Sequence, residues 1–220
     1  MGPRPHGTAA PARSTTALAV CGAAAGVLAV VVRNRLLRWG ATGAEVDMVL
    51  PGDALLRHAD LCSTRAITVD APPAVVWPWV AQLGQGRGGF YSYDGLENLL
   101  GCDIHSADQI LPDLTPPVVG GEFRLHPDVA LNVAVVEAGR ALVVTGAVPM
   151  GTVPVPYAST WAFVLLDGPD GTTRLVTRER YLYLRPLAGV LLEPVAVASF
   201  VMTERMLRGI RDRAESRHAR

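Results

Sequence analysis

The residues best suited to chemistry lie close together in one short segment. Two tyrosines, three of the four carboxylates and the histidine of residues 91–108 are the candidates. These residues are Tyr91, Tyr93, Asp94, Glu97, His105 and Asp108. A carboxylate or imidazole in an apolar cavity has a shifted pKa and can move protons, so the cluster indicates acid–base chemistry as one alternative. The other alternative is structural, because Asp94 and Glu97 have the spacing of a helix-capping box and the tyrosines could close one mouth of a barrel.

Other kinds of catalytic or cofactor site are not indicated by the sequence. The five histidines are scattered, with no HExxH motif and no closely spaced pair, so no metal is expected. There is no GxSxG nucleophile elbow, and the three cysteines form no CxxC motif. A GxGxxG occurs at residues 84–89, but it follows a predicted helix instead of a strand. That context argues against a dinucleotide loop, and no cofactor is expected.

The charge balance limits the classes of partner. The 20 basic residues, all of them arginine, are balanced by 20 acidic residues, which gives a formal net charge of zero. A neutral chain has no general attraction to nucleic acid, and no stripe of alternating basic and aromatic residues is present. Half of the residues are hydrophobic, which is enough for a sizeable core. No nucleic-acid partner is therefore expected, and the sequence does not indicate an oligomeric state.

The amino-terminal region predicts a membrane attachment. Residues 1–15 are rich in Pro, Ala, Gly, Ser and Thr and are expected to form a disordered tail. Residues 16–35 are expected to form a transmembrane anchor, since they open with 17 uncharged residues, about 26 Å as a helix. Arg33, Arg35 and Arg38 follow, which favours a cytoplasmic position for the rest of the chain. A cleaved signal peptide is the alternative, but no A-x-A site follows the apolar run.

The rest of the chain opens with a connector, a strand and a helix. Residues 36–63 contain Pro51-Gly52 and are expected to be a connector. Residues 64–70 alternate in the manner of a strand, and Pro72-Pro73 can start a helix. The apolar stripe of that helix consists of Val76, Trp79, Val80 and Leu83.

Strand patterns dominate from residue 121 onward. Alternating or β-rich segments occur at residues 121–125, 131–136, 141–146, 160–166 and 172–184. A long helix is predicted over residues 193–217, and Trp161 and Phe163 are expected to face it. The arginines of the last strand, Arg174, Arg178 and Arg180, share one face, which is expected to point outward into solvent.

Three segments resemble one superfamily. The opening TRAITVDAPPAVVWPWV, the run RGGFYSYDGLENLLGCDIHSAD and the ending MTERMLRGIRDRAE resemble the SRPBCC superfamily of START, polyketide-cyclase and pollen-allergen-like domains. The last two segments resemble a bacterial subgroup of unassigned chemistry. The resemblance implies an α+β helix-grip domain over residues 64–217. Its curved antiparallel sheet of six to seven strands would surround the long carboxy-terminal helix, with two short helices after the first strand.

The resemblance implies a cavity between the sheet and the long helix. The expected function is binding of a small hydrophobic or amphipathic ligand, lipid or isoprenoid-like, by a membrane-tethered protein. One alternative is a cyclase or dehydratase that uses acid–base residues, and a second is an interaction module with a collapsed cavity. Binding is favoured over catalysis, and no catalytic residue is assigned. The expected ligand-binding residues are Trp77, Phe90, Tyr91, Tyr93, Glu97, Trp161, Phe163 and Phe200.

Overall fold

A computed structural model describes residues 13–149 and 155–219 of the chain. Side chains are described from Ala24 onward, apart from that of Leu191. The chain divides into two units, residues 1–35 and residues 36–220. The second unit contains the entire sheet, so the expected ligand cavity concerns this unit alone.

The first unit consists of helix α1, which begins at Arg13 and ends at Leu37, just inside the second unit. Apolar side chains such as Val27 and Leu28 are exposed on it. Among the residues that the structure describes, no helix combines the length and hydropathy needed to cross a membrane. Residues 1–12 of the expected tail lie outside the described residues. For residues 16–23 of the expected anchor the backbone is described but the side chains are not. The anchor stays a prediction.

The second unit is built on a six-stranded sheet with every neighbouring pair antiparallel. The strands are β1 (Leu61–Val69), β2 (Glu122–His126), β3 (Val129–Glu137), β4 (Ala141–Gly146), β5 (Tyr157–Asp167) and β6 (Thr173–Tyr183). Their order across the sheet is β1-β6-β5-β4-β3-β2. The four strands β2 to β5 follow one another as hairpin neighbours, and β6 then pairs with β1 at the edge.

The helices complete the expected order of elements. Two short helices, α3 (Pro73–Ala81) and α4 (Asp94–Leu99), follow β1, and the long helix α5 (Ala188–His218) ends the chain. This α+β arrangement fits the helix-grip expectation. Helix α5 begins five residues earlier than predicted, because its first turns bury Ala188 and Leu192 in an apolar cluster with Leu61 and Tyr157. Strand β1 also begins earlier, since Leu61 already pairs with Tyr181 of β6.

The main core lies between one face of the sheet, called here the inner face, and helices α3 and α5. Phe163 and Leu175 on the sheet are fully buried there, and Trp161 is partly buried. Helix α5 contributes Met206, Leu207, Ile210 and Ala214. The prediction that Trp161 and Phe163 face the long helix is therefore confirmed.

The outer face of the sheet is covered, which corrects the expectation of a solvated arginine face. Leu50 of the connector packs on Val143, Val164 and Val176 in a second core cluster. The arginines do point away from the main core, but Arg178 is only 3% exposed. The connector is not a plain link, since it contains helix α2 (Gly43–Asp47) and a 3-10 turn (Asp53–Leu56) that lie over this face.

Arg178 holds the connector in place through hydrogen bonds that its guanidinium donates to connector residues. Its guanidinium donates to the backbone oxygens of Glu45, Val46 and Met48 at 2.7–2.9 Å. It also pairs with the Asp53 carboxylate at 2.6 Å. The Glu45 carboxylate caps helix α2 by accepting from the Thr42 N–H, and it pairs with Arg174. A buried guanidinium with these partners fixes the connector against the sheet.

We expect Arg178→Gln to lower the melting temperature by roughly 10 °C, because loss of one partner of a buried ion pair leaves the other charge uncompensated. Arg140→Gln is the matched control, since that side chain is 67% exposed and its Glu137 partner is 3.5 Å away. Thermal unfolding of both variants by circular dichroism measures the difference. Equal melting temperatures for the two would show that the connector is not held by Arg178.

Candidate functional site

A mainly apolar pocket opens between helix α4, the inner face of the sheet and the middle of helix α5. Its volume is about 200 Å³. The α4 region contributes Phe90, Ser92, Glu97, Cys102 and Ile104, the sheet contributes Leu125 and Trp161, and helix α5 contributes Met202, Thr203 and Met206. The pocket is partly open to solvent, so a small molecule can enter without rearrangement of the fold.

Polar contacts hold the segment around α4 in a fixed conformation. The Asp94 carboxylate accepts hydrogen bonds from the Ser106 N–H at 2.7 Å and from its hydroxyl at 2.6 Å. The Asn98 side chain bonds both backbone groups of Ile104, at 2.6 and 2.8 Å. Gly89 has a φ of 73°, and a Cβ there would lie 2.8 Å from the Ser106 Cα. Gly89 in the glycine-rich corner therefore permits a close approach of two loops.

Glu97 is a titratable residue in the lining of this pocket, and one of its carboxylate oxygens lacks a partner. Its Oε2 is buried and has no hydrogen-bond partner among the described residues. Burial, and then the nearby charge of Asp94, raise the pKa of the Glu97 carboxyl to about 7. The capping-box interpretation of Glu97 is wrong, since α4 begins after Tyr93 with no side-chain cap. Burial and the Glu97 charge also raise the pKa of the Cys102 thiol.

Aromatic rings form one wall of the pocket. Phe90 and Trp161 stack with centroids 6.4 Å apart, and Phe123 packs edge-on against Trp161 behind them. The Trp161 indole N–H donates to the Thr177 hydroxyl at 2.8 Å, so its polar edge is satisfied away from a ligand. The wall is therefore aromatic and apolar, and the one polar group of its rings is already bonded.

Three of the eight sequence-predicted ligand residues come together at the pocket, namely Phe90, Glu97 and Trp161. Phe163 lies deeper in the core, behind Trp161 at a centroid distance of 4.6 Å. Trp77 packs at the edge of the main core and does not line the pocket.

The remaining three predicted residues lie elsewhere for local reasons. Tyr91 has a φ of 57°, and its hydroxyl is buried between Gln82 and the Trp79 carbonyl. Tyr93 is 43% exposed at the start of α4. Phe200 is turned towards Trp39, with centroids 6.4 Å apart. These three side chains are not pocket-lining.

The acid–base cluster of the sequence is dispersed in the structure. His105 is exposed beside Asp103, and Asp108 pairs with Arg213 at 2.9 Å. Neither lines the pocket. Among residues 13–149 and 155–219, no three His, Cys, Asp or Glu side chains are grouped so as to hold a metal ion.

Sequence reasoning missed the contribution of helix α5. Met202, Thr203 and Met206 line the pocket, while Leu207 and Ile210 belong to the fully packed core. All five lie on one helical stripe or beside it, and the apolar periodicity does not separate lining from packing residues. The two methionines were a usable signal, because flexible methionines often border adaptable binding surfaces.

No protein-family model matches the sequence, and no curated protein matches it. Solved structures with a similar fold include a hypothetical protein of Helicobacter pylori, 14% identical with a TM-score of 0.49, where the match covers 76% of this chain and 96% of that one. A protein of Nitrosomonas europaea is 16% identical with a TM-score of 0.46 and coverages of 74% and 99%. A protein of Nitrosospira multiformis is 14% identical with a TM-score of 0.46 and coverages of 73% and 100%. The fold assignment rests on the strand order and the terminal helix, not on these distant similarities.

The raised pKa of Glu97 gives a pH prediction. Its folded-state pKa of about 7 lies above the ordinary 4.5, so its stabilising contribution is complete below the ordinary value and is lost as the pH rises through about 7. Glu97→Gln stays neutral at every pH. We therefore expect the melting temperature of the variant, relative to that of the natural protein, to rise between pH 4.5 and about pH 7. Above that range the difference between the two melting temperatures should stay constant.

Melting curves across this pH range measure that difference. Glu122→Gln is the control, since that side chain is 63% exposed and lies outside the pocket. A difference between Glu97→Gln and the natural protein that does not change with pH would show that Glu97 titrates normally.

Proposed function

We propose that the chain is a member of the SRPBCC helix-grip superfamily and that it binds a small, mainly apolar molecule in the pocket between α4, the sheet and α5. The observation that carries this proposal is the pocket itself, about 200 Å³ lined mostly by apolar side chains. Pockets of this kind, apolar with few polar groups, are the usual binding sites for small ligands. The order of elements and the sequence resemblance support the superfamily.

The pocket volume bounds the size of the ligand. An apolar cavity of about 150 Å³ accepts a benzene molecule, so this pocket suits a single ring with one or two substituents. A lipid or isoprenoid-like ligand would have to extend through the open side. The open volume also argues against the interaction module with a collapsed cavity.

Filling the pocket tests the proposal. We expect the full chain to bind fluorobenzene, and fluorine NMR measures this binding. Met202→Trp should abolish it, because the larger side chain occupies the pocket. Val201→Trp is the matched control, since Val201 is the adjacent residue on α5 and is 43% exposed. Binding that survives Met202→Trp, or that Val201→Trp removes equally, would place the probe elsewhere and overturn the proposal.

A proton-transfer enzyme of the cyclase or dehydratase type is the second candidate function. Glu97 favours it, because a carboxyl group with a pKa of about 7 in an apolar pocket can act as an acid or a base near neutral pH. Cys102 is the other titratable group in the pocket lining. Conversion of a bound ligand that stops in Glu97→Gln, while the ligand still binds, is the result that would favour this function over simple binding.

The third part of the proposal is that residues 16–35 tether the domain to a membrane from the cytoplasmic side. The support is the uncharged run followed by Arg33 and Arg35 in the sequence. The exposed apolar side chains of Val27, Leu28 and Val30 are compatible with it.

Alkaline carbonate extraction of membranes from the source cell tests the tether. We expect the full chain to stay in the pellet, and Val27→Arg to shift it towards the soluble fraction, because an arginine near the centre of a span costs about 3 kcal/mol. Leu55→Arg places the same change at an exposed site of the second unit and should leave the distribution unchanged. Recovery of the natural chain in the soluble fraction would overturn the tether and leave the pocket proposal intact.

A further inference from the structure

We infer that the ligand of this pocket is a cation, a compact molecule with an apolar ring and a protonated nitrogen that binds against Glu97. The inference rests on the proposed binding function and names the ligand class. It is argued from the charges around the pocket, from the hydrogen-bonding groups left free in it and from the character of its wall.

The first step concerns charge balance. Glu97 forms no ion pair with an arginine or histidine in the described part of the chain, and the charge that acts on it is that of Asp94. The Asp94 carboxylate is held by the N–H and hydroxyl of Ser106, which carry no charge. Two carboxylates therefore stand beside the pocket without a counter-charge, and the local potential favours a cation.

Other shielded carboxylates of the fold have an arginine partner, which Glu97 lacks within the described chain. Glu179, Glu45 and Asp53 each pair with an arginine, at 2.6–2.7 Å. A buried carboxylate without a partner is costly because it has lost its hydration. At those three positions the charge of an arginine compensates that loss. At Glu97 the compensating charge is missing from the described protein, and Glu97 lines the pocket, where a ligand can supply that charge.

The third step concerns the hydrogen-bonding groups of the pocket. The Ser92 hydroxyl donates to the Met202 carbonyl at 3.0 Å, and the Thr203 hydroxyl donates to Glu179 at 3.3 Å. Both hydroxyl protons are already engaged within the protein. Among the oxygen-bearing side chains of the lining, Glu97 is the one with an unbonded oxygen, so the pocket is matched to a ligand that donates.

The fourth step concerns the aromatic wall. Phe90 and Trp161 line the pocket, and the electron-rich rings of aromatic side chains attract cations. The Trp161 N–H is already bonded to Thr177 and is not offered to an anion. Aromatic rings and a carboxylate in one apolar pocket together recognise a protonated amine better than a neutral or acidic molecule of the same size.

A matched set of probes tests the inference on the full chain. Fluorobenzene, para-fluorobenzyl alcohol, para-fluorobenzylamine and para-fluorobenzoate differ in one substituent, and fluorine NMR measures their affinities at about pH 8, where Glu97 is ionised. We expect the amine to bind at least about tenfold more tightly than the alcohol, as one charge-assisted hydrogen bond provides, and the benzoate to bind most weakly.

Two variants locate the effect. Glu97→Gln should remove the preference for the amine over the alcohol, with folding checked by circular dichroism, whereas Glu137→Gln, which lies outside the pocket on β3, should keep the preference. Equal affinity for amine and alcohol, tighter binding of the benzoate, or an amine preference that survives Glu97→Gln would overturn the inference while fluorobenzene binding still supports the pocket. Failure of all four probes to bind would overturn the proposed function as well.

Discussion

Arg65 and Glu179 form an ion pair in the interior, between the inner face of the sheet and helix α5. Their side chains are 0% and 6% exposed, and the nitrogen and oxygen are 2.7 Å apart. Such a pair is tolerated only where its remaining donors and acceptors are satisfied. Here they are satisfied by the hydroxyls of Tyr181, Ser199 and Thr203 and by the carbonyls of Leu36 and Ala196. These contacts join β1, β6, α5 and the end of α1, so the pair fixes the position of α5 over the sheet and with it one side of the pocket.

Glu97 is a second shielded carboxylate, and it differs from Glu179 in its hydrogen-bond partners. Glu179 is surrounded by donors, and its proximity, after burial, raises the pKa of the Tyr181 hydroxyl far above the ordinary value, so the tyrosine remains a donor. Glu97 has an oxygen without a donor, and burial raises its own pKa to about 7. Burial is common to both groups, and the neighbours decide the outcome. The carboxylate of Glu179 is saturated and stabilises the fold, whereas the carboxylate of Glu97 is left without a counter-charge in the pocket lining.

The sequence was sufficient for the architecture because the strands have β-rich or alternating segments and the apolar stripe of α5 is long. It predicted which side Arg178 occupies but not what covers that side, since alternation identifies two faces and does not show that Leu50 and its neighbours fold back over one of them. At the site, Phe90 and Glu97 were predicted from their place after helix α3, and Trp161 from its place on β5. Tyr91 was not separable from them, because a single positive φ turns its side chain into the core, and irregular segments carry no periodicity that reveals this.

Thr203 connects the structural pair to the pocket. Its side chain lines the pocket, yet its hydroxyl proton is directed to Glu179. The compensation of the buried ion pair therefore uses a donor that the pocket would otherwise offer to a ligand. The interaction that positions α5 thus also determines the chemistry of the cavity beside it: the wall of α5 presents thioether and methyl groups, and the free polar atom is left on the opposite side, at Glu97. A pocket in which both lining hydroxyls donate to the protein and the carboxylate has no counter-charge is selective for the charge of its ligand before its shape is considered.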